Sequence, residues 1–124
     1  MKTLLTLFVL LFSFSVIAKE EVLYCTETQK VGFDADDNYS KVTSFKEERY
    51  TIKIDFQNKN LELFKIPFWS CDIPPPGEQM YCILDGLGFY IDINTYKFTL
   101  AKGFGYVTSK IDDVNIAYGT CEKF

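Results

Sequence analysis

Cys71 and Cys82 enclose ten residues, three of which are the consecutive Pro74, Pro75 and Pro76, followed by Gly77. This spacing constrains the chain more than any other feature. A hairpin over residues 66–84, centred between Pro76 and Gly77, sets Cys71 opposite Cys82. A directly opposed, non-hydrogen-bonded antiparallel pair brings the Cα atoms within disulfide reach. Prolines at the tip give up no ladder hydrogen bond. Pairing Cys71 with Cys82 leaves Cys25 for Cys121, first strand to last, a link that would lock a closing sheet. The other two pairings of four cysteines stay open at this level.

Disulfides presuppose an oxidising compartment. Lys2 precedes an apolar run, Leu4 to Ala18, that ends in the small pair Val16 and Ala18 before Lys19-Glu20-Glu21. This reads as a signal peptide over residues 1–18, with residues 19–124 as a single small β domain. The apolar run is shorter than the roughly 20 residues a spanning helix needs. The expected product is exported, periplasmic or secreted, with no membrane insertion after signal cleavage. A metal site or redox centre would favour Cys-x-x-Cys pairs, which the sequence lacks.

Most of the mature chain has period two. In Tyr50–Phe56 apolar residues alternate with Thr51, Lys53 and Asp55; Phe89, Ile91 and Ile93 alternate with Tyr90, Asp92 and Asn94. Val114, Ile116 and Tyr118 are read as an inward face opposite Asn115, Ala117 and Gly119. Less regular runs at 22–26, 61–68, 80–84 and 96–102 complete a set of about seven or eight short strands. Turn signals separate them at 34–38, 57–60, 74–77, 85–88, 103–105 and 112–113. A short helical turn within Glu27–Lys30 is the one helical hint. The expected fold is all-β, a small antiparallel meander that hides its edges by closing into a barrel or sandwich. Phe56, Phe89, Phe98 and Tyr118 are the rings expected to fill it.

The chain has no histidine, which removes Ser-His-Asp and Cys-His nucleophile systems and imidazole metal sites. Carboxylates remain as acid–base groups, and nothing in the pattern singles out a pair among residues such as Glu47, Asp85 and Asp92. Asp34, Asp36 and Asn38 match the first alternate positions of a calcium loop, but Tyr39 and Phe45 break the pattern, so the segment reads as a polar turn. No enzyme activity, cofactor or metal is therefore expected. Removing the leader leaves 12 basic against 17 acidic residues, a net charge of −5 with no basic block, which argues against nucleic acid as a partner.

The expected role is a disulfide-stapled binding or interaction domain of unknown target, with an envelope or extracellular protein as the candidate partner. Its candidate contact surface is the stapled loop: Trp69, Pro74, Pro75, Pro76, Met80 and Tyr81. Proline fixes φ and the disulfide fixes the base, so such a loop loses little entropy on binding. Trp, Tyr and Met are enriched at interfaces. An alternative of another class is a carrier of a small apolar ligand inside the barrel.

Four stretches together, Tyr24-Cys25, Gly32-Phe33-Asp34, Phe45–Phe56 and Tyr118–Phe124, resemble a group of short uncharacterised exported proteins of marine bacteria. That resemblance implies export and a shared small domain. Tyr24-Cys25 and Cys121 are also similar to the ends of periplasmic lysozyme inhibitors of the MliC type, small eight-stranded barrels. This second resemblance implies, as an alternative function, inhibition of a cell-wall lytic enzyme. Lys102-Gly103 is the one Lys-Gly pair, and no inhibitory residue carries over.

Overall fold

In the computed structural model, which describes residues 20–108 and 112–123, nine antiparallel strands form one sheet that curls into a nearly closed barrel. The strands are β1 (Glu21–Phe33), β2 (Val42–Phe45), β3 (Arg49–Asp55), β4 (Asn60–Glu62), β5 (Ser70–Asp72), β6 (Gln79–Leu84), β7 (Leu87–Asp92), β8 (Lys97–Lys102) and β9 (Val114–Lys123). Their order is β4-β3-β1-β9-β8-β7-β6-β5, with β2 also paired to β1. The two ends of that order come together, β4 against β5. Lys59 Nζ lies 3.4 Å from Asp72 Oδ1 across this seam. The leader expected over residues 1–18 lies outside the described residues. Among the described residues no helix is long and apolar enough to cross a membrane.

Local chemistry explains the turns. Leu84 pairs with Leu87 around Asp85-Gly86, both at positive φ (45° and 83°), the Asp-Gly combination that matches strand twist. Asp92 Oδ1 accepts from the backbone N–H groups of Asn94 and Thr95, both at 2.9 Å, which shapes the β7–β8 turn. These N–H groups, Thr95 foremost, hold the Asp92 carboxyl below its usual range. At 34–38 the expected polar turn is a single 3-10 turn: Asp34 accepts from Asp36 N, and Asn38 closes it in the left-handed conformation. The 103–105 turn leads into a one-turn helix, α1 (Gly105–Thr108).

The stapled hairpin has the expected register. Cys71 faces Cys82, and Gly77 N donates to Pro74 O at 2.8 Å, closing a turn with a cis Pro75–Pro76 bond. Cys71–Cys82 and Cys25–Cys121 are both disulfides, with Cα separations of 4.0 and 3.9 Å. The backbone N–H of Cys121 donates to Tyr96 O on the β8 side. That leaves Cys25↔Cys121 as a non-hydrogen-bonded pair whose side chains meet inside the barrel.

Leu23, Ile52, Ile54, Leu61, Leu63, Met80, Phe89, Ile91 and Phe98 fill the interior around both disulfides. Phe89 and Phe98 stack there with centroids 5.6 Å apart. Phe56 is half-buried at the margin of this cluster. Tyr118 is not a core ring: it is 50% exposed. The face assigned to β9 is thus reversed, because Cys121 must point inward and the period of two carries Gly119 and Ala117 with it. The helical hint at Glu27–Lys30 is a β-bulge inside β1. Glu27 pairs with Gly119 and Gln29 with Tyr118, leaving Thr28 as the extra residue.

Candidate functional site

The bulge reverses the parity of β1, so Glu27 before it and Lys30 after it both point inward. Glu27 is 3% exposed. Its Oε1 accepts from Glu48 N at 2.8 Å and lies 3.2 Å from Lys30 Nζ; its Oε2 accepts from Tyr50 Oη at 2.9 Å. Lys30 also lies 3.5 Å from Glu48, and its side chain is 12% exposed. Burial, with the carboxylate of Glu27 beside it, pushes the Tyr50 hydroxyl pKa well above its ordinary value. The buried carboxylate is thereby saturated with partners and acts as a structural anchor for the bulge.

Beside this network, a recess of about 630 Å³ at the barrel mouth is lined by Lys30, Phe45, Phe64, Leu100, Lys102 and Asp112, among others. Lys102 and Asp112 form a close ion pair there, and the lysine holds the Asp112 carboxyl below its usual range. The charges lining it are largely engaged with one another.

A second recess, of about 690 Å³, lies on the outer face of β7, β8 and β9. Strand register builds it. Tyr81, Tyr90, Thr99, Tyr118 and Gln29 are successive cross-strand partners, one row running over β6, β7, β8, β9 and β1. Tyr90 is 45% exposed. The Tyr81 and Tyr90 rings lie 6.3 Å apart, and Tyr118 Oη is 3.4 Å from Gln29 Oε1. Gln79, Asp92, Lys97 and Thr120 lie along one side of this row, and the bulged Thr28 adds a further wall. One local irregularity thus positions both the inner ion network and part of the outer groove.

The stapled loop borders this groove at one end. Pro74, Pro75 and Pro76 are exposed at the tip. Ile93 N donates to Glu78 O at 2.9 Å, tying the loop to the β7–β8 turn. Tyr81 stands half-buried on the outer face, and Gln79 enters the groove lining. Met80 and Trp69 are corrected as contact residues. Met80 is inward by parity with Cys82 and has no exposed surface; Trp69 packs in the core at 6% exposure. The buried Trp69 Nε1 has no hydrogen-bond partner among the described residues. Glu47 and Asp85 are exposed at separate places, and Asp92 is a turn cap.

Of the groove, Tyr90 was legible as an outward position. Tyr118 was missed, although the inward Cys121 three residues later places position 118 outward by counting in twos. Thr28 had no sequence signal beyond a polar break in the alternation of β1. No family model, curated protein or solved structure matches this chain.

Proposed function

We propose that the protein is an exported, disulfide-stapled binding domain that holds its target on the outer face of β6–β9, with the stapled loop at one end of the contact. The observation that carries this reading is the tyrosine row, three aromatic side chains on paired strands beside a groove of about 690 Å³. Tyrosine offers a large amphipathic surface with few torsions to freeze, so it contributes contact at low entropic cost. The barrel interior is filled by side chains, which favours the outer face over a ligand held inside. Export rests on the leader sequence and is supported by two disulfides.

The test is retention of the purified, oxidised protein on cell-envelope material. Wild type should be depleted from solution. The Tyr90→Ala/Tyr118→Ala variant, folded by circular dichroism, should lose retention by at least about tenfold, the effect of removing tyrosines that act as binding hot spots. Equal retention of both would place the contact elsewhere.

A further inference from the structure

We propose that the outer groove takes a neutral glycan chain, with at least three pyranose rings laid across β7, β8 and β9; this rests on the outer face being the contact face. Tyr90 and Tyr118 occupy one row, separated by the shorter Thr99 on the strand between. Two strand spacings of about 4.8 Å each put the two tyrosine positions roughly 10 Å apart. That separation is about twice the length of one pyranose in an extended chain, so the two tyrosines suit alternate rings of a three-ring run. The C–H face of a pyranose is apolar and flat enough to cover a tyrosine ring, while its hydroxyls project from the rim toward polar neighbours.

The groove supplies those neighbours. Asp92, Lys97 and Thr120 flank the tyrosine row. Asp92 is held in place by the two turn N–H groups that its Oδ1 accepts, so its position is set before a ligand arrives. The tyrosine platform is similarly prepared. The Tyr90 ring lies over Gly88, where an added Cβ would stand 3.1 Å from it.

Competing occupants fit less well. One aspartate and one lysine cancel in the lining, and the whole chain is acidic, so a polyanion gains nothing here. A peptide added as a strand needs an open edge, whereas β7, β8 and β9 are each paired on both sides. A lipid chain needs an enclosed apolar slot, and this groove is an open recess with Asp92, Lys97 and several hydroxyl groups in its lining.

Cellohexaose and chitohexaose, titrated into the oxidised protein and followed by NMR, test the proposal. At least one should shift backbone resonances of β7–β9 saturably and with little dependence on salt. Tyr90→Ala and Tyr118→Ala should each weaken that binding about tenfold, while Tyr90→Phe, which keeps the ring, should retain most of it. The retention assay separates the two levels of the reading. Periodate treatment of the envelope material should abolish retention and protease treatment should not. Loss on protease treatment alone, with no response to either hexasaccharide, overturns the glycan while leaving the groove as a protein contact. Hexasaccharide binding that persists in the double alanine variant, or shifts confined to the barrel mouth, overturns both.

Discussion

Glu27 shows how a single buried carboxylate can be tolerated in a small barrel. It accepts from a backbone N–H and a tyrosine hydroxyl and pairs with Lys30, so few of its lone pairs go unmet. Tyr50→Phe removes one donor and should destabilise the domain by about 1.5–2 kcal/mol, the lower part of the range for bonds to charged groups because Tyr50 is only half-buried. Glu27→Gln should be more severe, about 3 kcal/mol, since it leaves Lys30 facing a neutral amide in a largely buried site. The Tyr50 hydroxyl pKa is raised on folding, so its contribution is complete below about pH 10 and is lost as pH rises above that. Urea unfolding from pH 7 to 11 should therefore show the gap between wild type and Tyr50→Phe narrowing past pH 10. A constant gap would detach the shift from stability.

At the scale of the element, the decisive feature is the bulge where β1 meets β9. An added Cβ at Gly119 would lie 2.0 Å from the Thr26 carbonyl oxygen and 2.9 Å from the Glu27 Cα. Both are backbone atoms and have little freedom to move. Gly119→Ala should cost at least about 2 kcal/mol and shift resonances of the bulge and Tyr118, read by urea unfolding and NMR. A silent substitution would mean the two strands can slide apart. The alternation of β3 and β7 was plain in the sequence because each has one wet face. The short β2 was missed, since four residues carry too little pattern and pairing with β1 defines it; β5 was legible only as one arm of the stapled hairpin. The same limit hid the bulge, whose extra residue has no residue-type signature.

For the molecule as a whole, two covalent links act on loops of very different length. Cys25–Cys121 spans 96 residues and Cys71–Cys82 spans 11. On a chain-entropy basis, replacing the first pair by serine should remove about 4–5 kcal/mol and the second about 3 kcal/mol. Urea midpoints of the two double variants should fall in that order. The reverse order would show that native-state strain or residual structure outweighs loop entropy. The long link joins β1 to β9, which lie side by side midway along the sheet. Loss of the short link should fall mainly on β5 and on the border of the groove.

Residue order alone determined the all-β class, the stapled hairpin and its Cys71–Cys82 link, because each follows from alternation or turn chemistry within a few residues. The pairing of Cys25 with Cys121 followed by elimination once the hairpin was drawn. Only the tertiary structure decided that Met80 and Trp69 are core, and that Tyr90, Thr99, Tyr118 and the bulged Thr28 share one groove. The physical reason is register. A strand's period says which residues share a face, but a disulfide, a bulge and pairing between strands far apart in sequence choose which face meets solvent and which neighbours stand beside it.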